Sequence, residues 1–439
     1  MRKLFDIHPG LISESALQRI YLDLAEDYLA HQIEPTWKDH PRLPRCGCWQ
    51  SDYPVPPLPA FVARERPKED DGKPGLAPRE RLIERSLAAV RQKVFTHRLF
   101  AKEHGVSSDG TWGLDPNPRE ARKHGSSSFS FALCTAYELR HLLEDALWEQ
   151  VREVAAFEAD VCAQIEIRSG KYFDTAAEEA YPLNPLVLSA IFFGDHPHAA
   201  QWWDRVCDLE VSHLSAVQDH YDDRPIDGKP LRDRVLTENA HPDFTIENHG
   251  FLNPYYMHYF DPQIAYCKMA GRPIPRAFLW RRQQVWDWIK KNSGDDGFWM
   301  FPLGFDYYQH QYALLLRRIS LMATVFGDPV AKLYECRAAQ YLHQNWKRLG
   351  SPGCFYEPAG NGRDWELMCI AACYRLHQVF PSATWEALPP PDELLALRTG
   401  RTVFSYCRVV SHRTPEKYAS FGFNHDLRIF TGNVVPQGG

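Results

Sequence analysis

The feature that most restricts what this chain can become is a succession of helix-length segments, each closed by a strong breaker. Ile83, Leu87, Val90 and Val94 recur at spacings of four, three and four, which is one face of a helix. Gly194-Asp-His-Pro197 is a breaker between two such segments, read at 176–193 and 197–221. Leu17, Ile20 and Leu24 mark a first helix over about 11–33, with Ser13 or Ser15 as its cap. Further helices are predicted at 79–94, 129–155, up to about 270, and over 275–291, 306–326, 329–349 and 363–380. A short one follows Pro389-Pro-Pro391. No fixed-period repeat is present, which argues against a consensus solenoid and leaves a bundle or a toroid of helical hairpins.

Two stretches depart from this rhythm. Between Pro35 and Pro78 the prolines 41, 44, 54, 56, 57, 59, 67 and 74 exclude a regular helix, and the charged run 64–73 is expected on the surface. Near the end, Arg401–Val410 and Tyr418–Phe423 alternate in strand fashion, after which the chain reaches Gly439. Two or three strands bury no face alone, so they must dock on the helices or begin something longer. The expected division is an N-terminal helix and wrapping segment over 1–78, a helical catalytic body over 79–398 and a β segment over 399–439.

Composition narrows the function. A net charge of -6, from 50 basic and 56 acidic residues, gives no pull toward nucleic acid. No apolar run is long enough to span a bilayer, and the first residues lack a signal core. The sequence as it stands thus reads as soluble and cytoplasmic, or as secreted or periplasmic if a leader was removed. Eleven cysteines lack framework spacing; Cys46-Gly-Cys48 is the one close pair, with no matching His/Cys cluster. They read as buried thiols, and neither a cofactor nor a metal is called for. Aromatics at 13% supply flat surfaces for sugar stacking, though most of them fill core.

The richest chemistry lies in His241–Met257, which gathers Asp243, Glu247, Asn248, His249, Asn253, Tyr255 and Tyr256 around Gly250 and Pro254. Acid, amide, imidazole and phenol at a helix start can bind or deprotonate a polar substrate, and can equally cap backbone groups. Three patches in order resemble one family. Glu178-Glu-Ala-Tyr-Pro-Leu-Asn-Pro185 with His196–Trp202 is similar to an Asn-rich helix-turn of helical-toroid proteins related to heparinase II/III-type polysaccharide lyases. Thr245-Ile-Glu-Asn-His-Gly250 resembles that group's Asn-His motif, and Asp296–His310 resembles its Asp-Gly…Tyr…His segment. Lys417–Phe423 looks like the first strand of the family's β-sandwich, of which little else is present.

The resemblance implies a mainly α protein: an (α/α) toroid or incomplete toroid with a short C-terminal β segment, performing β-elimination on a uronic-acid polysaccharide. That reaction needs the uronate carboxylate neutralised, the C5 proton removed and the leaving oxygen protonated. Asn248 and His249 are assigned to the carboxylate, with His249 a second candidate for the base and Glu247 orienting it. Tyr307 and Tyr308 are alternative acid/base groups. Spacing pairs Tyr307 with His310 at i,i+3, whereas the resemblance prefers Tyr308, and the choice stays open. Glu179, Glu247, Tyr255, Tyr256 and Trp299 are the substrate-binding candidates, and an acidic polysaccharide or oligosaccharide is the expected partner. Two other readings remain. One is a toroidal glycoside hydrolase with a carboxylate pair drawn from Asp243, Glu247, Asp306 and Glu366. The other is a glycan-binding protein without catalysis.

Overall fold

The computed structural model describes residues 12–39, 57–106, 129–164, 184–236, 261–293, 308–349, 363–404, 409–423 and 429–436. The protein is mainly helical, with a small antiparallel sheet at its C-terminal end. In chain order the main helices are α1 (Glu14–Asp39), α2 (Pro57–Glu65), α3 (Arg79–Phe95), α4 (129–138), α5 (Asp145–Ala163), α6 (Asn184–Phe192) and α7 (Ala199–His213). There follow α8 (Asp261–Met269), α9 (Arg282–Asn292), α10 (Tyr308–Thr324), α11 (Pro329–Leu349), α12 (Arg363–Val379) and α13 (Pro391–Arg398).

Several expected boundaries hold, because periodicity and breakers agree there. The pair α10 and α11 turns at 325–328, where the Asp328 carboxylate caps α11 by accepting from the Val330 and Ala331 amides at 2.8 and 3.0 Å. Ser13 caps α1, accepting from the Ala16 amide at 3.2 Å. Other readings are corrected. The proline-rich stretch does contain a helix: α2 starts on Pro57 and has Pro59 in its first turn, where amides are unpaired anyway, and it buries Ala60, Phe61, Val62 and Ala63. Helix α1 also runs on through Pro35 to Asp39. The charged run is not wholly exposed, since Arg66 and Asp70 are buried, Arg66 against Glu26 at 2.8 Å. The helix expected over 129–155 is two helices, parted by a 3-10 turn at Arg140–Leu142.

The helices alternate in direction. The C-terminal ends of α2, α4, α8 and α12 meet: Glu65, Glu138 and Tyr266 all surround Arg375. The end of α6 joins them, with Phe192 stacked on Tyr137 at 4.0 Å. The end of α10 lies beside that of α12, the Ala323 carbonyl accepting from the Ala383 amide at 2.9 Å. The even-numbered helices therefore share one direction. The odd-numbered helices pack against them, as Ser189 on α6 bonding the Ala155 carbonyl of α5 illustrates. Each even-numbered helix leaves by a short connection: 66–78, 139–144, 193–198, 270–281, 325–328 or 380–390.

The C-terminal sheet runs β3 (Gly400–Phe404), β4 (Val409–Arg413), β5 (Lys417–Phe423) and β6 (Ile429–Pro436), all antiparallel neighbours. The single strand expected over 401–410 is thus two strands. Docking on the helices, required by so small a sheet, is made through one face. Phe404 and Val409 pack with Val285 and Trp286 of α9, Tyr418 donates to the Asn292 Oδ1 at 2.9 Å, and Arg413 donates to the Ser293 carbonyl at 2.5 Å.

A second, two-stranded hairpin, β1 (Pro225–Ile226) and β2 (Lys229–Pro230), was not anticipated, although Asp227-Gly228 between them is a strong hairpin signal. Both turn residues have positive φ, 47° and 82°. The Asp227 carboxylate accepts from the Arg276 and Ala277 amides at 3.0 and 2.8 Å, which fixes the turn before α9. Gly228→Ala meets no neighbour but must adopt a left-handed backbone, so a loss of about 1 kcal/mol is expected. Chemical denaturation measures it; an unchanged midpoint would contradict the turn geometry.

Candidate functional site

Most of the residues singled out by sequence lie outside the described residues: Glu179, Glu247, Asn248, His249, Tyr255, Tyr256, Trp299 and Tyr307, together with Asp243 and Asp306. Tyr308 and His310 occupy the first and third positions of α10, and Glu366 the fourth of α12, with their backbone alone described. What is described is the scaffold into which these stretches lead. Residues 165–183 precede α6, 237–260 precede α8, 294–307 precede α10 and 350–362 precede α12. Each therefore enters at the N-terminal end of an even-numbered helix.

Those N-terminal ends are in register where side chains report on it. Asn184, the first residue of α6, accepts from Gln263, the third of α8, at 3.3 Å, and both are buried. At the far end of the same pair Arg272 Nε donates to the Ile191 carbonyl at 3.2 Å and its guanidinium lies against Gly194. Between α10 and α12, Leu316 shares a core with Ile370 and Cys373, one level in from the Ala323–Ala383 contact. The first amides of such helices have no partner within the helix, and each N-terminus carries about half a positive charge. Aligned N-termini at one end are suited to an anion.

The opposite end is closed by two buried ionic clusters. In the first, Arg375 donates to both Glu138 oxygens at 2.6 and 3.2 Å and also pairs with Glu65. Tyr266 donates to Glu138 Oε1 at 3.0 Å, and Gln378 donates to Glu65 at 2.7 Å. Burial, with Cys134 and Glu138 close by, pushes the Tyr266 phenol well above its ordinary range, so it stays a neutral donor. In the second, His377 Nε2 meets Glu335 Oε1 at 2.8 Å and Nδ1 meets Glu14. Tyr21 donates to Glu335 Oε1 at 2.7 Å, and Ser320 bonds the same oxygen. Burial alone would lower the His377 pKa, but the charge of Glu335 and the hydrogen bond to Glu14 push it up to about 10. The ring is thus a cation held between two carboxylates.

None of these clustered residues was singled out from sequence. A signal existed: Ile370-Ala-Ala-Cys-Tyr-Arg-Leu-His377 is apolar on nearly every side, so any charge on that helix must find a buried partner. The cysteines behave as expected where described: Cys134, Cys162, Cys207, Cys267, Cys336 and Cys373 are buried. Burial pushes the Cys207, Cys267 and Cys336 thiols up to about 12, far from a reactive thiolate. Among the described residues no group of three or more His, Cys, Asp or Glu is placed to hold a metal, and no helix is long and apolar enough to cross a membrane. No known protein family, no curated protein and no solved structure matches this chain.

Proposed function

We propose that the protein is a polysaccharide lyase that cleaves a uronic-acid polymer by β-elimination, built on a closed or incomplete toroid of helical hairpins. The observation that carries this reading is the shared direction of α2, α4, α6, α8, α10 and α12. It gives the stretches bearing Glu179, Glu247–His249, Tyr255, Tyr256, Trp299 and Tyr307 a common end of the molecule to enter from. In such a toroid the even-numbered helices form the inner ring, whose N-termini make that end positive at its centre, while the outer helices end there and make the rim negative. A uronate is drawn to the middle of such a field.

The chemistry follows from the residue types. Asn248 and His249 hydrogen-bond the uronate carboxylate and support the charge that develops when the C5 proton leaves. Tyr307 or Tyr308, beside His310, exchanges protons with C5 and the leaving oxygen, with His249 the other candidate for the base. No metal is needed for these steps. The test is ultraviolet absorbance of the unsaturated uronate product across a panel of uronate polymers. One polymer is expected to give a rising trace, and His249→Ala is expected to lower the rate about a hundredfold or more. Release of reducing ends with no absorbance would mean hydrolysis, and silence on every polymer would leave glycan binding alone.

A further inference from the structure

The inner face of the C-terminal sheet is accounted for by its packing on α9; the outer face is not. Side chains alternate strictly across β3, β4 and β5. Phe404, Val409, Ser411, Arg413, Tyr418 and Ser420 are buried, while Arg401, Val403, His412, Lys417 and Phe421 are exposed. Register places the exposed set in adjoining rows. Arg401 pairs with His412 and His412 with Ala419; Val403 pairs with Val410 and Val410 with Phe421. Lys417 lies one row further along β5. Directly paired residues on one face sit roughly 5 Å apart. One face therefore presents a half-exposed phenyl ring and a half-exposed valine beside two permanent cations and an imidazole, without an acidic side chain among these exposed positions.

Two features make this more than a tolerated patch. Val403 and Phe421 are each 50% exposed in one row, with Val410 between them, on a sheet whose other side is core. Arg401, His412 and Lys417 have no ion-pair partner among the described residues, in a chain where most surface arginines do. The sheet also docks at the C-terminal end of α9, the helix that leads into the stretch carrying Trp299 and Tyr307.

We infer that this face is an accessory binding surface for an acidic polysaccharide, with Phe421 stacking on a sugar ring and Arg401, Lys417 and His412 meeting its carboxylates. It rests on the proposed lyase reading for the identity of the polyanion, not for the existence of the surface. Charge complementarity selects this occupant. A second copy joined face to face would set Arg401, His412 and Lys417 against their own kind, and a neutral glycan would leave the cations unused.

Affinity electrophoresis of the whole protein in gels containing alginate or polygalacturonate tests it, with neutral dextran as control. The protein is expected to be slowed by a uronate polymer and not by dextran, less so as salt rises. Arg401→Ala/Lys417→Ala/Phe421→Ala is expected to weaken that retardation about tenfold, while turnover of a short oligosaccharide is unchanged. All three side chains are exposed, and circular dichroism checks that the variant is folded. Undiminished retardation of the triple variant, or equal retardation by dextran, overturns the proposal. A dimer that the triple variant converts to monomer, seen by sedimentation, overturns it in favour of a copy-to-copy interface. Retardation lost in the triple variant, without any unsaturated product from the parent, upholds the surface and rejects the lyase reading.

Discussion

Arg375→Leu is expected to destabilise the protein by about 3–5 kcal/mol, enough to threaten folding at ambient temperature. The arginine lies in the middle of the closed end, its guanidinium shared between Glu138 and Glu65 and set over the Phe61 ring at 5.2 Å. Its side chain is 3% exposed, as is that of Glu138. Removing the cation leaves Glu138 in a low-dielectric site where, among the described residues, the Tyr266 hydroxyl supports its charge. Desolvation of that carboxylate, rather than the lost attraction, makes the change severe. The distinction is measurable. Arg375→Leu combined with Glu138→Leu removes both charges and should recover part of the loss, whereas a simple packing defect would deepen. Arg375→Lys keeps the charge but not the forked geometry and should recover only a fraction. Urea midpoints for the three variants decide it, and an Arg375→Leu loss below about 1 kcal/mol would contradict the burial of this cluster.

The second large effect is a dependence of stability on pH set by His377. Its folded-state pKa, about 10, lies above the ordinary 6.5. A pKa raised on folding means that the native state binds the proton more tightly. The stabilisation is therefore complete below about 6.5 and disappears as pH rises through about 10. Across that window wild-type stability is expected to fall by up to about 1.4 kcal/mol per pH unit. Glu14, held below its usual range by His377 and Lys332 against the opposing effect of its burial, works in the other direction and loses its contribution only under acid. His377→Gln should be less stable at neutral pH and nearly flat between about 6.5 and 8, below the range where the buried cysteine thiols begin to ionise in the unfolded chain. Parallel slopes for the two proteins in that window would assign the pH dependence to other groups.

The parts of the fold that were legible in the sequence are those where two local signals coincide. Gly194-Asp-His-Pro197 and the ends of α10, α11 and α12 combine a breaker with a change of apolar period, and their boundaries fall within a few residues of expectation. Where the signals conflict, local reading failed. The prolines of 54–59 outweighed the apolar Ala60–Ala63, although Pro57 and Pro59 occupy the turn of a helix that tolerates them. The break at 139–144 carries no Gly or Pro, and it is there that Glu138 reaches Arg375, a residue 237 positions away in sequence. No local pattern encodes such a partner. The residues assigned to chemistry were legible as types at helix entries, but their mutual placement depends on contacts between helices far apart in sequence, which no local pattern carries.

The arrangement of connections also separates the parts of this molecule that mutation can and cannot reach. The short turns converge on ionic clusters in which almost every side chain answers to two or three helices, so drift there is met by unfolding. The other connections lead into the opposite end, where described helix starts touch through contacts such as Asn184 with Gln263. Evolution can lengthen or exchange those connections one at a time while the rigid end keeps the hairpins in place. A lineage built on this plan would change what it recognises far faster than it changes its frame.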